Sequence, residues 1–184
     1  MKYSVEQLIQ KMNRKERPKF LFFWGHQPSK DGSISASCFS QWWKSAFESD
    51  GQTYRTAEHW MMAKKAELFD PDRVEQVLQA KSPAQAKAIG RLVNGFSQEV
   101  WDKQKYEIVR QGTLLKFSQN KELATFLINT KKRILVEASP VDPIWGIGLA
   151  KDHRNASNPS KWRGKNLLGF ALMEVRDELD GIKL

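Results

Sequence analysis

Cysteine and histidine are scarce in this chain, at one and three of 184 residues. The lone Cys38 excludes an internal disulfide framework and any cysteine-based metal site. His26, His59 and His153 are scattered, with no pair at metal-ligand spacing, so neither a metal nor another cofactor is expected. No apolar run approaches the length that spans a bilayer. The opening Met1-Lys2-Tyr3-Ser4-Val5-Glu6 lacks the apolar core of a secretory signal, so a cytoplasmic protein with no membrane contact is expected. Internal repeats and low-complexity segments are absent too. Acidic residues are the last shortfall: 21 Asp and Glu against 30 Lys and Arg leave a net charge of +9. That balance favours anionic partners such as nucleotides, sugar phosphates or nucleic acid. The cations are spread along the chain, so general surface charge explains the excess equally well.

Aromatic rings, by contrast, are abundant. Seven Trp and ten Phe are more than a core of this size requires, so some rings are expected to line a pocket and stack on a flat ligand. Residues 56–66, Thr56-Ala57-Glu58-His59-Trp60-Met61-Met62-Ala63-Lys64-Lys65-Ala66, read as the start of a helix with Thr56 as N-cap. Glu58 falls in its first turn, where the helix dipole favours the ionised carboxylate. Lys65, nearly two turns on, returns to the same face. An acid and an amine would then flank the apolar Met61 and Met62. The plain alternative is a capped amphipathic helix with a solvated Lys.

The rest of the chain predicts a mainly helical α+β fold. Residues 4–13 form a short amphipathic helix with a Ser4/Gln7 capping box, joined by a charged connector. Residues 1–17 are therefore expected to be an arm on a domain spanning 18–184. Phe20-Leu21-Phe22-Phe23-Trp24 reads as a buried strand, followed by a turn-rich loop from Gly25 that reaches over a site. Asp70-Pro71 and Ser82-Pro83 read as cap and first position of two helices, the second ending near Gly90. Ser97 opens a long helix to Phe117, and Asn120 another through Leu127. Residues 132–138 form a strand delivering the chain to Ser139-Pro140-Val141-Asp142-Pro143-Ile144-Trp145-Gly146-Ile147-Gly148. Two prolines stiffen that loop, and Gly146 and Gly148 are expected to let backbone approach a ligand. A final helix from Lys165 has a start suited to an anion, with Asn166 beside it.

Taken together, these stretches resemble the NADAR, or YbiA-like, family from about Phe20 to Leu179. The likeness is carried by Phe22-Phe23-Trp24-Gly25, Phe39-Ser40-Gln41-Trp42, Tyr54-Arg55-Thr56-Ala57-Glu58-His59, Lys65-Ala66, Gly90-Arg91 and Trp101. It continues through Lys116-Phe117-Ser118-Gln119-Asn120, Glu137-Ala138-Ser139-Pro140, Asp142-Pro143-Ile144-Trp145-Gly146-Ile147-Gly148 and Asn166-Leu167-Leu168-Gly169 with Met173 and Arg176. One departure is Gln41, where many members have Asn. The resemblance implies an N-glycosidase. Family activities include hydrolysis of early phosphorylated riboflavin-biosynthesis intermediates, aminopyrimidine ribosylamine 5-phosphates, with release of ribose 5-phosphate. They also include removal of ADP-ribose from guanine in nucleic acid.

N-glycosidic cleavage places oxocarbenium character on the sugar and negative charge on the departing base. An ionised Glu58 suits stabilisation of the first and activation of water. Asp142 is the second acid, or else a turn-stabilising Asp. Trp24 and Trp145 either stack on the base or belong to the core. Arg55 and Arg91 either grip phosphate or form surface ion pairs. Lys65 is a charge in the site or, more sharply, an amine that attacks the opened sugar to form a Schiff base. His59 is expected to be structural. Gly25, Gly146, Gly148 and Asn166 complete the expected substrate contacts. A different class, a nucleotide or nucleic-acid-binding module without catalysis, would cluster its cations on one helix; this sequence disperses them.

Overall fold

The computed structural model describes residues 1–181. Its elements are α1 (Val5–Asn13), β1 (Phe20–Phe23), β2 (Phe47–Ser49), β3 (Gln52–Tyr54), α2 (Ala57–Phe69), α3 (Val74–Leu78) and α4 (Pro83–Gly90). There follow α5 (Gln98–Gln119), α6 (Lys121–Ile128), β4 (Ile134–Glu137) and α7 (Leu167–Gly181). Helix predominates over two small two-stranded sheets, so the fold is α+β and mainly helical. The chain divides into two compact units. One is built from Met1–Ser40 and the chain from Glu122 onward, the other from Gln41–Lys121.

In the second unit, β2 and β3 pair antiparallel about Asp50 and Gly51, both at positive φ as a tight hairpin turn requires. Phe47 and Tyr54 face each other across the hairpin and enclose Trp60. Thr56 caps α2, its hydroxyl accepting the His59 N–H. The helix is not amphipathic: Ala57 through Ala63 and Ala66 are all buried, because α3, α4 and α5 surround it. Two glycines permit that enclosure. A Cβ on Gly112 of α5 would lie 2.3 Å from the Trp60 ring, and one on Gly90 would lie 2.2 Å from the Met62 sulfur. Gly112 thus trades helix propensity for close approach of α5 to α2. Asp70 and Pro71 take the cap and first positions as expected, but of a 3-10 turn, and the Asp70 side chain makes no cap bond. Pro71–Arg73 form a 3-10 turn before α3, and the Asp70 carboxylate accepts from Arg73 and from the Asn94 backbone and side chain.

In the first unit, β1 and β4 run parallel. Of the predicted aromatic strand only Phe23 is buried, packing edge-on against Phe39. Phe20 and Phe22 stack on the opposite face, and Trp24 lies beyond the strand with 60% of its surface exposed. The expected buried strand is half-buried because its sheet has two strands, so alternation leaves one face less covered. α7 covers β4 and carries the largest share of this unit's core. The predicted capping box of α1 is present between Ser4 and Gln7. Leu8 of α1 is buried, and the preceding Tyr3 hydroxyl donates to Asp177 of α7 at 2.6 Å, with Lys2 paired to the same carboxylate.

Candidate functional site

Glu58 lies one residue inside α2 and is 2% exposed. Its backbone N–H donates to the Gln41 carbonyl at 3.0 Å, which ties the segment before β2 to the first turn of the helix. The carboxylate therefore sits where the α2 dipole favours its charge and where bulk water does not dilute its field. Lys65 lies seven residues on, with its Cα about 10 Å further along the axis. Its Nζ donates to the Gly90 carbonyl at 2.8 Å and lies 4.3 Å from the Phe96 ring centre and 5.8 Å from that of Trp101. Burial, and after it the Arg91 guanidinium, holds the amine below its ordinary value of 10.5. Lys65, Gly90 and Arg91 thus form one group at the end of α4. Phe96 and Trp101 complete it; Trp101 was legible as a motif residue, whereas nothing in the sequence marked Phe96.

Arg55 is exposed, with Nη1 donating to the Ala80 carbonyl at 3.1 Å. His59 shares that carbonyl. Because Ala80 O only accepts, Nε2 carries the ring proton, and the Thr56 hydroxyl donates to Nδ1 at 2.8 Å. Burial, the largest cause, keeps the ring neutral by lowering the imidazole pKa; Arg55 adds to the effect and the Ala80 bond opposes it. A consequence for stability follows. The unfolded chain protonates this ring near 6.5 while the folded chain does not. The contribution of His59 is therefore complete above about pH 6.5 and is lost as pH falls from there towards the lowered folded value. Melting temperature should fall between pH 7.5 and 5.5, and His59→Gln should flatten that slope. An equal slope in the variant would assign the pH dependence to other groups.

The remaining predicted residues lie in the first unit. Because β1 and β4 are parallel, Trp24-Gly25 and the 138–148 loop leave the sheet at the same end, its carboxyl end, which is where open parallel sheets receive ligands. Gly25 turns the chain there at φ +81°. Trp24 is exposed and so is no core residue; Trp145 is half-buried. Asp142 accepts the N–H groups of Ile144 and Trp145 through Oδ1 at 2.9 and 2.8 Å, so it shapes the turn that presents Trp145.

In this unit the start of α7 differs from expectation, and the surroundings of Gly146, Gly148 and Asn166 become visible. Gly146 and Gly148 are expected as ligand contacts, and on the side that a Cβ would occupy their close neighbours are the protein itself. A Cβ on Gly146 would meet the Glu137 carbonyl at 2.8 Å, and one on Gly148 would meet Arg163 at 2.9 Å. The start of α7 offers no ready anion site. The N–H groups of Asn166, Leu167 and Leu168 donate to the carbonyls of Gly146, Ile144 and Trp145. Those carbonyls satisfy the donors that a helix start otherwise leaves open. The helix also opens at Leu167, two residues later than expected. Asn166 itself is fully buried, its carboxamide donating to the Leu135 carbonyl at 2.9 Å and accepting the Glu137 N–H at 3.0 Å. It fastens α7 to β4.

Among the described residues, no group of three or more His, Cys, Asp or Glu is placed to hold a metal ion, and no helix is long and apolar enough to cross a membrane. Residues 22–180 match the model of the NADAR domain. The chain belongs to the NADAR family. It is 40% identical over 169 residues to N-glycosidase R617 of Acanthamoeba polyphaga mimivirus, covering 89% of this chain and 98% of that protein. To N-glycosidase YbiA of Escherichia coli it is 32% identical over 130 residues, or 71% of this chain and 73% of that one. The NMR structure of E. coli YbiA superposes with a TM-score of 0.72 at 28% identity, covering 91% of this chain and 88% of the other. This NADAR domain thus begins within β1, and α1 precedes the matched range.

Proposed function

We infer that this NADAR protein acts on early phosphorylated riboflavin intermediates, hydrolysing the C–N bond of aminopyrimidine ribosylamine 5-phosphates and releasing ribose 5-phosphate. It is an N-glycosyl hydrolase, as its relatives are named. The observation that best supports a hydrolytic site is Glu58, a buried carboxylate in the first turn of an enclosed helix. Such a group opposes the positive charge that develops at the anomeric carbon and can take a proton from the attacking water. Arg55 and Arg91 are exposed cations suited to the phosphate. Trp24 and Trp145, in the other unit, are rings of the type that stacks on a base. Removal of ADP-ribose from guanine in nucleic acid is the second reading, favoured by the net charge of +9.

Purified protein assayed on both substrates separates the two. Release of ribose 5-phosphate from the ribosylamine phosphate is the expected result. Turnover of ADP-ribosylated guanine alone would assign the second activity, and binding without turnover of either would make the protein a non-catalytic module.

Lys65 adds a chemical question to this reading. Its lowered pKa makes more neutral amine available, and only the neutral amine attacks an opened sugar. Borohydride added during turnover should then leave a sugar-phosphate mass on Lys65. Absence of the adduct, with Lys65→Arg retaining substantial activity, would reduce Lys65 to a charge in the site.

A further inference from the structure

Gln41 is 8% exposed, and neither its Oε1 nor its Nε2 has a hydrogen-bond partner in the protein. A buried carboxamide left in this state is costly, because folding removes its water partners without replacing them. Its position is not arbitrary. The Gln41 backbone carbonyl accepts the Glu58 N–H, so the residue is held one backbone hydrogen bond from the residue assigned to the anomeric carbon. Other buried amides in the chain are used: Asn166 makes two bonds to β4. Ser45, in the same segment before β2, also has a buried hydroxyl without a partner in the protein.

We propose that Gln41 reads the leaving base, its carboxamide pairing with a lactam edge, the ring N–H beside a carbonyl. The inference rests on the N-glycosidase reading above. A carboxamide presents one acceptor and one donor in a plane, and a lactam presents the complementary donor and acceptor in the same geometry. Bidentate pairing of this kind is how Gln and Asn recognise base edges elsewhere. Guanine and the pyrimidinone of the riboflavin intermediates both carry such an edge, so the pairing is common to the two candidate substrates. Substrate then supplies the partners that the fold withholds, and a base without the edge leaves the amide unsatisfied.

The test begins with kcat/KM of the wild type on both substrates; no turnover of either would overturn the proposed function itself, and this inference with it. With turnover established, Gln41→Met keeps length and removes both polar atoms. Its kcat/KM should fall roughly 10- to 100-fold, the loss of two hydrogen bonds, while product inhibition by ribose 5-phosphate is unchanged. Melting temperature should hold or rise, since an unsatisfied amide has been removed. A substrate methylated on its lactam nitrogen provides an arm that does not depend on variant folding. The wild type should hydrolyse it more slowly by a similar factor, and Gln41→Met should discriminate little. Equal rates of the wild type on the methylated and unmethylated substrate, unchanged kcat/KM in Gln41→Met, or a matching loss of ribose 5-phosphate inhibition would each overturn base reading by Gln41.

Discussion

Glu58→Gln is expected to lower kcat by several powers of ten while the protein stays folded. The amide matches the carboxylate in size, and α2 is held by Thr56, by its neighbours α3–α5 and by the Gln41 carbonyl, none of which depends on the Glu58 charge. What changes is the field at the reacting carbon. An ionised carboxylate facing an oxocarbenium-like transition state, at a site 2% exposed, acts through a medium far less screening than water. Its removal is worth on the order of 3–5 kcal/mol of barrier. The Michaelis constant should change little, because the substrate before cleavage carries no positive charge at that carbon. Single-turnover rates with circular dichroism on the same samples provide the measurement. A folded variant with near-normal kcat would remove Glu58 from the mechanism.

Asn166→Ala is expected to act in the opposite way, on stability before chemistry. Ile134 and Ala138 donate to Lys19 and Phe23, so the even-numbered backbone groups of β4 face β1. Leu135 and Glu137 face away, and there, among the described residues, the strand has no partner strand. The Asn166 carboxamide takes the place of one, bonding the carbonyl of Leu135 and the N–H of Glu137. Alanine would leave the buried Leu135 carbonyl and the part-buried Glu137 N–H without that partner, each costing about 1–3 kcal/mol. It would also hold φ +53°, which Asn tolerates better than Ala. A total of roughly 3 kcal/mol corresponds to a fall of about 6–12 °C in melting temperature for a chain of this size. At temperatures where the variant is folded, its KM should rise little if Asn166 acts only as a fastener. An unchanged melting temperature with a large rise in KM would instead make it a substrate contact.

Much of the architecture was legible in the sequence where the signal is local. Ser82 and Ser97 cap α4 and α5 as predicted, because a cap needs only a side-chain oxygen and the N–H three residues on. Glycine and proline were harder to read. Gly146, Gly148, Gly112 and Gly90 each mark a close approach, but a sequence does not say what approaches. In every case it is this protein's own backbone or side chain. The start of α7 misled for a related reason: helix geometry guarantees open N–H groups, yet the 144–146 carbonyls, brought back by the loop after β4, had already taken three of them.

By itself, the sequence determined the family, the helical majority and the placing of an acid in the first turn of α2, because these depend on residue order and short-range spacing. Only the tertiary structure decided that the first two turns of α2 are buried on every side, since burial is a property of neighbours contributed by α3, α4 and α5. It also decided which polar groups have partners. Gln41 and Asn166 carry the same carboxamide, and nothing local distinguishes them. One is satisfied by a strand edge thirty residues away in the chain, while the other is buried beside Glu58 with both polar atoms unmatched by the protein. Hydrogen-bond satisfaction is settled by what long-range packing brings within reach, and a sequence does not contain those distances.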